Sequence, residues 1–190
     1  MFKQKKKMLS IDQMIQGEKW IAKTIQSGVN LSGDMYAVCD QLRLHIIEKT
    51  LRGGIEGILK APEVKGYNGT IIIDPSSSQS KFPMTHEVVH YLKDVGINKV
   101  VTGKYERVAK GRKKDAHEQY IDYITAAILM PWKSIAADID SFEFGMDEIA
   151  FLKKCAVKYG QDITDVFNSS LWRRFLEVKA IRNHPELANT

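Results

Sequence analysis

The spacing of apolar residues along the chain predicts a mostly helical protein. Apolar positions recur every three or four residues in five segments, which are 10–26, 33–53, 117–130, 147–159 and 163–178. Ser10 and Gln13 have the spacing of a capping box at the start of the first segment. Pro131 and Gly160 are residue types that end helices, and each directly follows one of these segments. The segment 132–139 could add one or two further helical turns.

Two short strands interrupt the helical pattern. Residues 55–61 and 70–74 are rich in isoleucine and leucine, and the turn-forming pair Asn68-Gly69 lies between them. This arrangement predicts a β-hairpin, and residues 99–101 are a candidate for one more short strand. The sequence therefore predicts an α+β fold that is mostly helical, with a small antiparallel sheet of two to three strands.

The run His86-Glu87-Val88-Val89-His90 holds the candidate chemistry. On a helix the two histidines stand four positions apart and project from one face, as a pair of zinc ligands requires. Glu87 could then take a proton from a water molecule at the metal, as a general base. The alternative is a surface helix whose polar side chains are merely solvated. Apolar flanking residues favour a buried helix, in which two histidines need a polar partner such as a metal.

A second predicted helix supplies candidates for the remaining ligand. Catalytic zinc sites use three protein ligands, and the carboxylate of Glu118 could reach across to the histidine pair. Asp122, one turn later, could accept the other N–H of a ligand histidine and so orient its ring. His117 is a rival ligand, but adjacent helical residues diverge by about 100°, so His117 and Glu118 are not expected to serve one metal. Alternatively, Glu118 and Asp122 form a solvated first turn that the helix dipole favours.

Taken together, these segments resemble the ImmA/IrrE family of bacterial metallopeptidases, also known as a domain of unknown function. That family has an apolar strand, a helix with the pattern His-Glu-x-x-His, and a later helix that ends in Leu-Met-Pro. The matching segments of this chain are GTIIID at 69–74, FPMTHEVVH at 82–90 and EQYIDYITAAILMP at 118–131. The resemblance extends over about residues 35–135. Val89 departs from it, because many members have glycine before the second histidine.

The resemblance implies a zincin-like helical core in which His86, His90 and Glu118 bind Zn²⁺ and Glu87 is the general base. It also implies a zinc-dependent endopeptidase that cleaves a protein partner, such as a helix-turn-helix repressor of a mobile element or stress response. Two other classes of function stay open. One is a regulatory protein that binds DNA or a repressor without cutting it, and the other is a toxin-like member of a two-gene module.

Two features of the chain bear on nucleic acid as a partner. The basic segment 104–115 joins the two candidate metal helices, and it could attract an acidic partner or be a solvated surface loop. The final helix pair carries Trp172-Arg173-Arg174, which allows a DNA-binding helix-turn-helix interpretation. An αα-hairpin packed on the catalytic part is the favoured alternative, so nucleic acid is possible as a partner but not favoured.

Composition and cysteine content indicate the compartment. The 190 residues carry a formal net charge of +5. No apolar run is long enough to span a membrane, and the basic start is not followed by a secretory signal. Cys39 and Cys155 show no metal or redox spacing and are expected to be reduced thiols in the core. These features predict a cytoplasmic protein with no membrane partner.

The chain is expected to contain one peptidase-like domain with short additions. The expected divisions are a basic, disordered tail at 1–9, the zinc peptidase-like domain at 10–140, a helical hairpin packed on it at 141–182 and a tail at 183–190.

Overall fold

The computed structural model describes six ranges, which are 9–31, 33–76, 81–108, 115–142, 147–160 and 169–188. Within these ranges the chain forms seven α-helices and one four-stranded mixed sheet. The predicted α+β, mostly helical class is confirmed. The basic tail before Leu9, the central part of the basic segment (109–114) and the start of the last predicted helix (163–168) lie outside the described residues.

The first two helices begin at side chains that satisfy free backbone N–H groups. In α1 (Ile11–Gln26), Ser10 and Gln13 form the predicted capping box. In α2 (Met35–Gln41), the carboxylate of Asp34 accepts a hydrogen bond from a backbone N–H of the first turn. The longer helix predicted over 33–53 is wrong, because α2 ends at Gln41. Arg43 has a φ of 53°, a left-handed conformation that stops the helix.

The sheet is larger than the sequence predicts and is not purely antiparallel. Its strands are β1 (Leu44–Glu48), β2 (Ile55–Lys60), β3 (Gly69–Ile73) and β4 (Lys104–Val108), in the spatial order β1-β3-β2-β4. The predicted hairpin is confirmed, since β2 and β3 pair antiparallel. The strand β1 pairs parallel with β3, and β4 pairs antiparallel with β2. The strand predicted at 99–101 is wrong, because the chain enters the sheet only at Lys104.

The two candidate metal helices pack against each other beside this sheet. The helix α3 (Lys81–His90) continues as a π-helical turn at Tyr91–Val95, and α4 (Ala116–Leu129) begins at the N-cap Asp115. Contacts join α3 to α4 and to β2, β3 and β4. The helix is buried on every side from Phe82 to His90. Its polar side chains therefore lie in the interior, between α4 and the sheet.

The first apolar core lies between α1, α2, α3, α4 and the sheet, and the last three helices pack around a second apolar core beside it. They are α5 (Trp132–Asp140), α6 (Glu148–Tyr159) and α7 (Ser170–Ile181), and α6 ends at Gly160 with a φ of 60°. Contacts join α7 to α1, α4, α5 and α6, so α7 packs on the body of the protein. A 3₁₀ turn at Pro185–Leu187 follows, and Leu187 is 1% exposed. The predicted tail is therefore folded at this point.

A buried polar network joins α7 to the helices of the first core. The side chain of Arg174 is fully buried, and its Nη2 lies 2.6 Å from Oε1 of Glu18 in α1. Its Nε donates to the carbonyl oxygen of Met130, at the end of α4, over 3.0 Å. The hydroxyl of Tyr123 donates to the same carboxylate oxygen of Glu18 over 2.7 Å. Arg174 is consequently shielded from solvent and does not offer its charge to a DNA phosphate.

The two cysteines have the state that the sequence predicts. Cys39 and Cys155 are free and buried, as predicted. Burial raises the pKa of both thiols, that of Cys39 to about 12, which keeps them protonated and unreactive.

None of the helices in the described ranges is both long and apolar enough to cross a membrane.

Candidate metal centre

The structure brings the predicted metal ligands together at one point between α3 and α4. His86 and His90 project from α3, and Nε2 of one ring lies 3.2 Å from Nε2 of the other. Glu118, in the first turn of α4, places Oε2 3.4 Å from Nε2 of His86 and Oε1 3.2 Å from Nε2 of His90. The two histidines are 0% and 2% exposed, whereas the Glu118 side chain is 29% exposed. The cluster is therefore open on the Glu118 side.

The three separations fit a single small metal ion. A tetrahedral zinc ion with bonds of about 2.0–2.1 Å holds neighbouring ligand atoms about 3.3–3.4 Å apart. The two histidine nitrogens, 3.2 Å apart, are close to that spacing, and each lies within 3.4 Å of one of the two Glu118 carboxylate oxygens. Two imidazole nitrogens and one carboxylate oxygen are also the donor types that catalytic zinc sites use. The three residues therefore fit a bound zinc ion.

The contacts within the cluster shift the pKa values of its members. Hydrogen bonds from His86 and His90 hold the pKa of Glu118 well below its usual range. Burial disfavours the charged form of His90, but hydrogen bonds to Glu118 and Asp94 outweigh it and raise the pKa of His90 to about 9. The carboxylate is thus ionised and ready to bind a cation. Metal uptake must displace the proton that His90 holds in the metal-free protein.

Each ligand histidine also contacts a carboxylate through its second ring nitrogen. Nδ1 of His86 lies 3.3 Å from Oδ1 of Asp122, a contact through which Asp122 could orient the ring. Nδ1 of His90 lies 2.7 Å from Oδ2 of Asp94. Nε2 of His117 lies 3.0 Å from Oδ2 of Asp94, and its ring centroid lies 5.9 Å from that of His90. His117 therefore lies beside the cluster, and Glu118 is the carboxylate that approaches Nε2 of both His86 and His90.

The predicted general base lies beside the cluster and against the sheet. Glu87 is 0% exposed, and its carboxylate packs against Gly57 in β2. A β-carbon added to Gly57 would lie 2.8 Å from Oε1 and 3.2 Å from Cγ of Glu87. Only glycine leaves room for the carboxylate at this point of the strand. The register between β2 and β4 is shifted at Ile55/Gly57, so an irregularity of the sheet accompanies this close approach.

We expect Gly57→Ala to push the Glu87 carboxylate away from β2. Because the new methyl group would meet buried atoms, unfolding free energy should fall by about 1–3 kcal/mol. Metal content should not change, because Glu87 is not one of the three clustered ligands. Urea unfolding and metal analysis measure the two effects. Gly103→Ala is the matched control, because its nearest contact would be an ordinary 3.8 Å from Tyr105. Equal stability of the two variants would show that Gly57 is not sterically required.

Three tyrosines of β4 and α4 take different places around the cluster. The ring of Tyr105, in β4, stacks on His90 with centroids 5.1 Å apart. Tyr123 is committed to the buried network around Glu18 and lies away from the cluster. The ammonium of Lys93 lies over the ring of Tyr120, 5.0 Å from its centroid. Tyr105 thus contacts one of the two clustered histidines.

Sequence reasoning missed two neighbours of the cluster. Asp94 follows His90 by four residues, so the spacing that identified the histidine pair could also have identified this carboxylate. Gly57 gave no such signal, because its closeness to Glu87 depends on the packing of α3 against β2. The sequence predicts a linker at 104–115, whereas Lys104–Val108 forms the strand β4.

Comparisons with known proteins give no family for the chain, since no protein-family model, no curated protein and no solved structure matches it. The resemblance to the ImmA/IrrE family therefore stays a prediction that rests on the His-Glu-x-x-His helix and on the helix that contains Glu118. The donor types and spacing of the cluster are such that it could hold a metal ion.

Proposed function

We propose that this protein is a zinc-dependent endopeptidase of the ImmA/IrrE type. One observation carries the proposal: Nε2 of His86 and Nε2 of His90 lie 3.2 Å apart, and each lies within 3.4 Å of a carboxylate oxygen of Glu118, close to the spacing of ligands around a tetrahedral ion. The buried carboxylate of Glu87 next to them adds the group that peptide hydrolysis needs. A purely structural zinc site would be closed by a fourth protein ligand.

The chain's own residues account for the proton transfers of hydrolysis. A zinc ion held by His86, His90 and Glu118 would supply Lewis acidity and activate water at neutral pH. Glu87 would accept a proton on its carboxylate and later return it to the departing amine. Its burial keeps bulk water away from that carboxylate. Asp122 and Asp94 would hold the imidazoles with Nε2 directed toward the ion.

The proposed substrate is a protein segment. The partial exposure of Glu118 leaves an approach to the cluster from solvent. A helix-turn-helix repressor is the substrate that the resemblance implies. A cytoplasmic location accords with the two free, buried cysteines, because a reducing compartment keeps such thiols unpaired.

Metal removal tests the proposed activity. We expect the zinc-loaded chain to cleave a library of unstructured peptides, with the cut bonds identified by mass spectrometry. Treatment with 1,10-phenanthroline should abolish cleavage, and added zinc should restore it, because the ion supplies the Lewis acid. The isomer 1,7-phenanthroline, which does not chelate, is the control. A zinc-loaded chain that cuts neither peptides nor a folded repressor would instead favour a non-proteolytic regulator or a toxin-like protein.

A further inference from the structure

Asp94 is placed where one carboxylate oxygen can serve two histidines. Its Oδ2 lies 2.7 Å from Nδ1 of His90 and 3.0 Å from Nε2 of His117. His90 is on α3, whereas His117 is in the first turn of α4, immediately before Glu118. A single atom thus links the second ligand histidine to the segment that carries the ligand carboxylate.

The backbone around Asp94 is held in a specific shape. The helix α3 widens into a π-helical turn at Tyr91–Val95, which closes when the N–H of Gly96 donates to the carbonyl oxygen of Tyr91 over 2.8 Å. Gly96 has a φ of 103°, a conformation that favours glycine. Turns of this kind are rare and occur frequently at functional sites.

Lys93, the residue before Asp94, holds the same turn through contacts with two aromatic rings. The ammonium of Lys93 lies 5.3 Å from the ring centroid of Trp20 in α1 and 5.0 Å from that of Tyr120 in α4. Such contacts between a cation and aromatic rings are attractive. The turn is therefore fixed between α1 and α4, and the position of Asp94 does not depend on a freely moving loop.

The contact with Asp94 has a direct consequence for the ring of His90. When Nδ1–H donates to the carboxylate, the lone pair of the neutral imidazole is on Nε2, which points at His86 and Glu118. Ligand histidines with such a partner bind metal more tightly because the ring is oriented before the metal arrives. Asp122 makes the corresponding contact with His86.

We propose that Asp94 is a positioning residue of the metal centre, which fixes the ring of His90 and, through His117, ties the start of α4 to the π-helical turn. This inference rests on the proposed metal site, since it concerns how tightly that site binds its ion. Asp94 is not one of the three proposed ligands, and it acts through His90 and the placement of Glu118.

Zinc affinity in variants tests this role, measured by competition with a chromophoric chelator. Asp94→Ala should weaken zinc binding by about 10–100-fold, the range found when the partner of a ligand histidine is removed. Asp94→Asn keeps the shape and an acceptor oxygen, so a smaller loss is expected. It also keeps the test valid if the alanine variant does not fold. Asp138→Ala is the matched control, because Asp138 has a similar exposure of 15% and contacts Lys158 away from the site.

The Co²⁺ form adds a readout that a merely structural role would not change. Ligand-field absorption reports the arrangement of ligands around the ion, so Asp94→Asn should alter that spectrum and Asp138→Ala should not. His117→Ala should cost less affinity than Asp94→Ala, because the contact with His90 persists. Wild-type zinc affinity, within about threefold, in both Asp94 variants would overturn the inference and leave the metal site intact. A wild-type chain that binds no zinc would overturn the proposed function and this inference together.

Discussion

Glu87→Gln should retain zinc and lose peptide hydrolysis. We expect the rate of cleavage to fall by about 10³-fold, the contribution typical of a well-placed general base. Glutamine has nearly the same shape as glutamate, so it can occupy the space beside Gly57, but its amide cannot accept and return the proton. Zinc should stay bound because the three clustered donor atoms belong to His86, His90 and Glu118.

Stability measurements separate this loss of activity from a loss of structure. Glu87 is 0% exposed, and a neutral amide costs less to bury than a charged carboxylate. The variant should therefore be at least as stable as the wild type in thermal unfolding. Glu63→Gln is the control, since Glu63 pairs with Lys60 on the surface and its loss should not affect hydrolysis. Loss of zinc from Glu87→Gln would show that Glu87 has a role in binding, and unchanged cleavage would place the base elsewhere.

The second large effect is expected in stability, at a site distant from the metal cluster. Arg174→Ala should lower the free energy of unfolding by about 3–5 kcal/mol, the usual cost of removing one partner of a buried ion pair. Glu18 is only 5% exposed and would be left in the interior without its cation. The carbonyl oxygen of Met130 would also lose its donor. Urea unfolding followed by circular dichroism measures the change.

A surface arginine on the same segment provides the comparison. Arg182 follows α7 directly and pairs with Asp140, whose side chain is 68% exposed. Arg182→Ala should cost less than about 1 kcal/mol, as exposed ion pairs usually do. Because Arg174 connects α7 with α1 and the end of α4, the wild type should unfold in one transition. Two separate transitions, or equal effects of the two substitutions, would contradict the view that α7 is an integral part of the fold.

The sequence predicted local features well because their causes are local. The capping box at Ser10 and the end of α6 at Gly160 each depend on residues a few positions apart. The β2–β3 pairing was predicted as well, but Gly69 belongs to β3 and the connection spans residues 61–68. The histidine pair and Glu118 could also be identified from the sequence, because metal-ligand chemistry restricts the residue types and helical spacing restricts their geometry. Their convergence depends on the packing of α3 against α4, which spacing alone does not establish.

The features that the sequence did not predict arise from contacts between distant segments. Leu44–Glu48 has apolar positions compatible with a helix, and only its pairing with β3 makes it a strand. The closeness of Gly57 to Glu87 likewise results from the packing of β2 under α3. Burial of Arg174 was not evident either, because an arginine next to another arginine on a helix ordinarily indicates an exposed face.

Anomalous diffraction at the zinc absorption edge, from crystals of the zinc-loaded chain, tests the central claim most directly. One anomalous peak per chain is expected, about 2.0–2.2 Å from Nε2 of His86, Nε2 of His90 and a carboxylate oxygen of Glu118. A second group of possible ligands, His90 with Asp94 and His117, lies next to this cluster. A peak at that second group, or no peak at the first, would contradict the proposed catalytic centre.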